Sequence, residues 1–340
     1  MCPHGYYTLM RESKDPRYVR LRVVPSARRL RPKKRDFAVA GEGLHRPPRR
    51  IRITIGARRR EGAPGAEQRV FLIQAISRVG LYVADQVEGL GRFGVFTGQM
   101  FRWLLTDATR WRLLRPQLYQ VGVRSLPVIV ITGAFVGMVL AAQSYGQFDA
   151  IGRASWVGAV INVSVVKELG PVLAGIMLAG MVGGALAAEL GTMKVTEQID
   201  ALRAMGADPI KHLVVPRFIA TFLMIPFLTV YCDFVGILGG YLVSWGYGVD
   251  THEYWMHSAD VIENFDVFSG VLKSTFFGAA IALISCYKGF QSRQGAYGVG
   301  MAALEAFVSS FVAILVLDFF VVLFLNGVYD LLWGRVAIFV

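Results

Sequence analysis

Long apolar runs with almost no charge are the feature that most constrains how this chain can fold. A helix that crosses a bilayer needs about 20 apolar residues at a rise of about 1.5 Å each. Two charge-free runs, residues 125–148 and 169–188, meet this requirement. Three further runs contain one charge each: 218–249 with Asp233, 267–287 with Lys273, and 306–329 with Asp318. The sequence therefore predicts an all-α integral membrane protein with five transmembrane helices.

The charge is concentrated in the N-terminal tail. Residues 1–70 hold 19 of the 36 basic residues but only 6 of the 24 acids. We interpret residues 1–69 as a basic, disordered extension, and we expect that native translation starts near Val70. Anionic lipid headgroups or retention in the cytoplasm explain such a tail. Binding to nucleic acid is not favoured, because no aromatic residues suited to base stacking are interleaved with the arginines.

Residues 70–124 have a different pattern and precede the first span. Ile73, Ile76, Val79 and Val83 recur at helical spacing, and aromatic residues mixed with arginines follow them. This combination is typical of an amphipathic helix that lies in the membrane interface, here on the cytoplasmic side. A helix packed on a partner protein is the alternative. Residues 125–330 then form the transmembrane domain, and 331–340 are a C-terminal tail.

The loops predict the orientation of the chain. The segment 191–217 carries four basic residues, whereas the segment 246–266 carries five acids and no Lys or Arg. Basic loops stay in the cytoplasm. The N-terminus is therefore predicted to be cytoplasmic and the C-terminus to lie outside, which five spans allow.

Glycines recur four residues apart inside the predicted spans. The pairs are Gly133 and Gly137, Gly180 and Gly184, and Gly236 and Gly240. Such spacing lets helix backbones approach one another closely in lipid. The pairs predict a tightly packed bundle.

The loop after the second span has the signals of a short helix. Thr196 is the expected N-cap, Glu197 suits the positive end of the helix, and Gly206 supplies a left-handed stop. Asp208 and Pro209 then start a second helix. A helix–glycine–helix turn on the cytoplasmic side is a feature to which a motor domain could bind. An ordinary amphipathic connector is the alternative.

Ionisable residues inside spans mark candidate functional sites, because they are costly in lipid. Glu168 is expected at the outward end of span two and Lys273 in the outward part of span four. Their opposite charges could bind a zwitterionic headgroup or could form a buried ion pair that only sets helix register. For Asp233 and Asp318 a hydrogen-bonded packing role is the favoured interpretation.

The motifs of common enzymes are missing from the sequence. There is no GxxxxGK[ST] phosphate-binding loop and no GxSxG turn. His252 and His257 are five residues apart, so they do not share the helix face that a zinc protease needs. We therefore predict no catalytic residue, no metal and no cofactor. A secondary transporter that uses Asp233, Asp318 or Glu168 is one rival class, and an intramembrane lipid enzyme is another.

The run from Glu168 to Arg217, ELGPVLAGIMLAGMVGGALAAELGTMKVTEQIDALRAMGADPIKHLVVPR, closely resembles the MlaE/YrbE family of permeases. The Lys273-Ser274 segment and the Leu317-Asp318-Phe319 segment are also similar to that family, so the resemblance covers residues 72–330. These permeases serve MCE-type phospholipid ABC transporters.

The resemblance implies a homodimer in the bacterial inner membrane that moves phospholipids and maintains outer-membrane asymmetry. It also implies two copies of a separate ATPase, a STAS-domain subunit and a hexameric MCE-domain lipid-binding subunit outside. By the same resemblance, Glu168, Lys273 and Lys167 border the lipid cavity. Lys167 stands where many relatives have Arg, so it keeps the charge without the bidentate geometry. The residues implied to couple to the ATPase are Glu197, Gln198, Asp200, Leu202, Arg203 and Gly206.

Overall fold

The computed structural model describes residues 87–106 and 111–333, and every regular element in them is helical. Five helical stretches are long and apolar enough to cross a membrane. They are Trp111–Ala150, Ala154–Val195, Ile210–Gly246, Asn264–Phe290 and Ala296–Leu331. The prediction of five spans is confirmed. The basic extension 1–69, residues 70–86 and the last residues of the predicted tail lie outside the described residues.

The helices are numbered in chain order. Residues 87–106 form α1, and α2 (Trp111–Val121) continues through a 3₁₀ turn into α3 (Leu126–Ala150). The second span contains α4 (Val157–Ser164), α5 (Gly170–Leu178) and α6 (Gly184–Val195). The third span ends in α8 (Val215–Gly246), and the last two spans are α10 (Asn264–Phe290) and α11 (Ala296–Trp333). Two short helices, α7 (Gln198–Ala204) and α9 (Thr251–Val261), lie between spans.

The second span is not a uniform α-helix. A π turn at Val165–Leu169 separates α4 from α5, and another at Ala179–Gly183 separates α5 from α6. Turns of this kind insert one residue into a helix and are frequent at functional sites. The span extends well beyond the predicted run 169–188. Glu168 therefore lies in the interior of the helical stretch, and its place at the outward end of the membrane-crossing part stays a prediction.

Glycines bring α3 and α8 together. A Cβ on Gly133 would lie 2.6 Å from the carbonyl oxygen of Cys232, and one on Gly137 would overlap with the carbonyl oxygen of Gly236. One on Gly240 would lie 3.4 Å from the carbonyl oxygen of Gly137. Close backbone packing at these two predicted pairs is confirmed. A Cβ on Gly184, by contrast, would meet no other part of the described chain within 4 Å, so the third pair does not bring two helix backbones together.

Helix α1 packs on the bundle with one face and leaves the other exposed. Met100 is fully buried and Phe96 nearly so, in a cluster that includes Phe218. The opposite face carries exposed apolar side chains, among them Leu90 and Leu105. A helix with one face on protein and an apolar outer face is compatible with the predicted interfacial position.

Helix α9 was not predicted, because the segment 246–266 was interpreted as a loop. Its signal in the sequence is Asp250, whose side chain accepts a 2.8 Å hydrogen bond from the backbone N–H of His252 and caps the helix. The buried hydroxyl of Tyr254 donates to Asn162 of α4 at 3.1 Å, and Asn162 donates to Ser258 at 2.8 Å. Burial raises the pKa of Tyr254 to about 12, so this hydroxyl keeps its proton at neutral pH. The network fixes α9 to the second span.

Candidate functional site

Lys273 is the centre of a charged cluster that joins three spans. Only 1% of the residue is exposed, although it lies within α10. Its Nζ donates to Glu168 Oε2 at 2.7 Å and to the carbonyl oxygen of Lys167 at 3.1 Å. Asp318 Oδ1 of α11 lies 3.5 Å from the same nitrogen. The predicted proximity of Glu168 and Lys273 is therefore present in the structure.

The sequence around the first π turn explains why a backbone carbonyl is available to Lys273. In an α-helix the carbonyl of Lys167 would accept from the backbone nitrogen four residues later, which belongs to Pro171. Proline has no N–H, so this carbonyl lacks its α-helical donor. Lys273 Nζ supplies a hydrogen bond instead. The Gly-Pro pair after Glu168 thus creates an acceptor that a buried ammonium group can use.

The side chain of Lys167 points elsewhere. Its Nζ forms an ion pair with Asp266 Oδ1 at 3.1 Å, in the first turn of α10. Asp266 also accepts from the backbone N–H of Glu263 at 3.3 Å and so completes a capping box. Lys167 was predicted to border a lipid cavity. The structure places its carbonyl, rather than its ammonium group, beside Lys273, while 42% of its side chain stays exposed.

Two carboxylates face the single buried cation. The side chain of Glu168 is 40% exposed and that of Asp318 is 21% exposed, whereas that of Lys273 is 2% exposed. The one ammonium group is shared by two carboxyl groups, and Glu168 is the more accessible of the two. Asp318 was interpreted as a packing residue, and its place in the cluster was missed. Its signal was that it is the one charge in its apolar run.

Helix α7 lies in the connection between the second and third spans. Gly206 has a φ of 76°, which confirms the left-handed stop after this helix. At the other end, Glu197 is left-handed with a φ of 59° and occupies the N-cap position. The prediction that Thr196 caps the helix is wrong. Its hydroxyl donates to the carbonyl of Thr192 at 2.8 Å and so finishes α6 instead.

The surface of α7 is largely open. Glu197, Gln198, Asp200 and Arg203 are exposed, and Arg203 Nη1 lies 3.1 Å from Asp200 Oδ1. Ile199 is buried and anchors the helix, while Leu202 is half-buried. Met205 is 73% exposed and was not predicted as part of this surface. An exposed methionine beside charged residues is a feature that adaptable protein interfaces use.

The turn after α7 is held in place by side chains from two directions. Asp208 accepts from the backbone N–H of Ile210 at 2.9 Å, which confirms its predicted capping role. Its other carboxylate oxygen accepts from Trp103 Nε1 of α1 at 2.8 Å. Lys194 donates to the carbonyl of Phe290 at 2.7 Å and ties the end of α6 to the end of α10. The position of α7 is therefore coupled to α1 and to two spans.

A second buried ion pair lies nearer to α7. Arg217 of α8 contacts Glu189 of α6 through Nη2 at 3.0 Å, and its Nη1 donates to the carbonyl of Leu213 at 2.8 Å. The arginine side chain is 6% exposed. This pair was not predicted, although Glu189 directly follows the second charge-free run, 169–188.

Comparison with known proteins identifies the family. The model of the family described as Permease MlaE matches residues 114–324. The chain belongs to the MlaE permease family. A probable ABC transporter permease of Rickettsia typhi is 39% identical over 252 residues, which are 74% of this chain and 97% of that protein. The intermembrane phospholipid transport system permease protein MlaE of Haemophilus influenzae is 31% identical over 259 residues, 76% of this chain and 99% of the relative.

A plant protein is also similar. The chloroplastic protein TRIGALACTOSYLDIACYLGLYCEROL 1 of Arabidopsis thaliana is 39% identical over 226 residues, 66% of this chain and 65% of that protein. The residues that the MlaE family model covers include both ion clusters, Lys273 with Glu168 and Asp318, and Arg217 with Glu189. Within residues 87–106 and 111–333, no three His, Cys, Asp or Glu side chains come together as a metal site.

Proposed function

We propose that this chain is the permease subunit of an ABC transporter that moves phospholipids between the inner membrane and an external MCE-type carrier. The observation that carries the proposal is the buried Lys273, bonded to Glu168 at 2.7 Å inside a bundle of apolar spans. A buried ion cluster of this kind marks a substrate site in a membrane protein. Membership in the MlaE permease family and the printed name of the Haemophilus relative support lipid as the substrate.

The cluster has the chemistry of a zwitterionic headgroup. The phosphate of a phospholipid is attracted to Lys273, and an amine is attracted to the partly exposed carboxylates of Glu168 and Asp318. The hydrogen bond from Lys273 to the Lys167 carbonyl holds the ammonium group in position when Glu168 turns toward a ligand. Binding thus exchanges one set of charge-assisted hydrogen bonds for another and leaves no charge unpaired.

The energy for transport comes, in this proposal, from a separate ATPase that docks on α7. Its exposed residues Glu197, Gln198, Asp200 and Arg203, together with Leu202 and the Gly206 turn, form the docking surface. The proposed assembly holds two copies of this chain and two ATPase subunits, with a STAS-domain subunit on the ATPases and an MCE hexamer outside. Its cellular role is to maintain the lipid asymmetry of the outer membrane.

The proposed orientation places α7 and the N-terminus in the cytoplasm and α9 and the C-terminus outside. Helices α7 and α9 flank the third span, so they lie at opposite ends of it. The test uses Met205→Cys in the α7 turn and Met256→Cys in α9, because both positions are exposed. Cys2 is replaced by Ser, and the buried Cys232 and Cys286 are kept. We expect an impermeant thiol reagent to label Met256→Cys from outside and not Met205→Cys. The reverse labelling would overturn the orientation.

The experiment for the substrate site measures lipid transfer by the whole complex in proteoliposomes. We expect Glu168→Ala, Lys273→Ala and the double variant all to lose transfer while the complex still assembles. The matched control is Lys288→Ala/Glu305→Ala, which removes a partly exposed 3.0 Å ion pair between α10 and α11. This control should transfer lipid normally.

Two outcomes would contradict the proposal. Full transfer by Glu168→Ala/Lys273→Ala would show that the pair only sets helix register. Transfer that continues without ATP and without the ATPase subunit would favour a secondary transporter. Loss of ATP-dependent transfer in Gly206→Trp, with normal membrane insertion, tests the docking surface separately.

A further inference from the structure

Asp233 is a buried acid that the proposed transport site does not use. It lies in α8 and is 9% exposed. Its Oδ1 is fully buried and has no hydrogen-bond partner among the described residues. Within residues 87–106 and 111–333, no Lys or Arg forms an ion pair with it, since Lys167 pairs with Asp266 and Lys273 with Glu168 and Asp318.

The carboxyl group of Asp233 lies against the π turn of the second span. A Cβ on Gly170 would overlap with Asp233 Oδ1 and would lie 2.8 Å from the carbonyl oxygen of Val165. Both oxygens lie within 2.8 Å of this single Cβ position, so the carboxyl group and the Val165 carbonyl occupy the space that a side chain at position 170 would need. Gly170 is the residue whose N–H closes the π turn on the Val165 carbonyl. Any side chain at this position would push Asp233 away.

We propose that Asp233 is a neutral carboxylic acid that donates a hydrogen bond to the carbonyl of Val165 and positions the π turn carrying Lys167 and Glu168. Two oxygens that both lack a proton would repel each other at this site. An ionised carboxylate buried without a cation or a donor would also cost several kcal/mol. A proton on Asp233 removes both costs, because a carbonyl oxygen has two lone pairs and can accept from Gly170 and Asp233 together.

This bond makes Asp233 a positioning residue for the charged cluster. The π turn decides where Glu168 points and where the Lys167 carbonyl meets Lys273. Glycine at position 170 and a short acid at position 233 fit each other, since the glycine leaves the space that the carboxyl group fills. The inference concerns the shape of the site and does not depend on which lipid is carried.

The experiment compares Asp233→Asn with Asp233→Leu in the intact complex in lipid nanodiscs. Asparagine keeps the size and can donate an N–H to the Val165 carbonyl, whereas leucine keeps the size and cannot donate. Infrared spectra at neutral pH record the C=O band of protonated carboxylic acids, which shifts in D₂O. We expect this band to lose intensity in Asp233→Asn, and not in the control Asp330→Asn, which removes an exposed acid.

Lipid transfer and melting temperature give the second readout. Asp233→Asn should keep both. Asp233→Leu should melt earlier and lose transfer by about tenfold or more, because the Val165 carbonyl keeps only its bond from Gly170 and loses the one that positions the π turn against α8. Gly170→Ala should resemble Asp233→Leu, because its Cβ displaces the carboxyl group.

Three results would overturn the inference. They are an infrared band unchanged by Asp233→Asn, an Asn variant as defective as the Leu variant, and a Leu variant that behaves like the wild type. An inactive Asn variant with normal stability would instead indicate that Asp233 moves a proton. The infrared band and the melting order remain informative even when no lipid transfer is found, so they separate this inference from the proposed function.

Discussion

Two ion clusters hold a nearly buried cation inside this bundle, and they differ in how that cation is neutralised. Arg217 has one carboxylate partner, Glu189, and one backbone acceptor, Leu213. Lys273 faces two carboxylates, Glu168 and Asp318. Arg217 is paired with one carboxyl group, whereas Lys273 is shared between two.

This difference in the partners of the two cations distinguishes a structural ion pair from a binding site. The Arg217 guanidinium group is bonded on three of its nitrogens, to Glu189 twice and to Leu213 once. Its contacts leave little for a ligand to replace. Glu189 and Glu168 are equally accessible, with 39% and 40% of their side chains exposed, so carboxylate exposure does not separate the two clusters. The difference is that the small Lys273 cation is shared between two carboxyl groups, so a ligand can replace one of them while the other stays in place.

The largest difference is expected between Lys273→Met and Arg217→Met. Removing one partner of a buried ion pair costs about 3–5 kcal/mol, so both variants should be less stable. Lys273→Met should also abolish lipid transfer per assembled complex, because the charge that attracts phosphate is lost. Arg217→Met should keep transfer per assembled complex. The measurements are melting temperature and transfer normalised to intact complex. An Arg217→Met complex that assembles normally but transfers no lipid would show that the Arg217 pair is not purely structural.

A smaller effect is expected from Asp318→Asn. This change keeps the shape and removes one of the two negative charges that face Lys273. Transfer of an amine-bearing lipid such as phosphatidylethanolamine should fall by about tenfold, the equivalent of 1.4 kcal/mol. Transfer of phosphatidylglycerol, which has no amine, should fall less. Glu305→Gln on the same helix is the control. Equal losses for both lipids would argue against an amine subsite at Asp318.

A still smaller effect is expected from Arg217→Lys. Lysine keeps the charge, but it lacks the planar guanidinium group whose separate nitrogens contact Glu189 and the Leu213 carbonyl at the same time. The loss of one hydrogen bond costs about 1 kcal/mol. A modest fall in melting temperature with unchanged transfer is the expected result. A large loss of transfer would indicate that this pair, too, contributes to the transport cycle.

The smallest effect is expected from Lys288→Ala/Glu305→Ala. This 3.0 Å pair is partly exposed, with 54% of the Glu305 side chain accessible. Such pairs contribute about 0–1 kcal/mol. Melting temperature should change little, and high salt should remove what difference there is. A destabilisation comparable to that of Arg217→Met would show that burial does not separate the pairs.

The sequence predicted those features that depend on neighbouring residues along the chain. The five apolar runs form five helical spans. Gly206, in the left-handed conformation, follows the end of α7, and Asp208 caps the next turn. The failures at Thr196 and at α9 were also local. A capping residue can serve either of two adjacent helices, and Asp250, the cap of α9, lies in a charged segment that was interpreted as a loop. Thr196 finishes α6 rather than starting α7.

The number of spans could be read from the sequence, because the free energy of placing a segment in lipid is the sum of contributions from the residues of that segment. The tertiary structure alone decided that Asp318 joins Lys273 and that Asp233 meets Gly170. It also decided that Lys167 presents its carbonyl to the cluster. These contacts depend on how far each helix is rotated and shifted against its neighbours. Close glycine contacts between helices, such as that of Gly137 with Gly236, fix this rotation and shift. The apolar runs alone do not encode it.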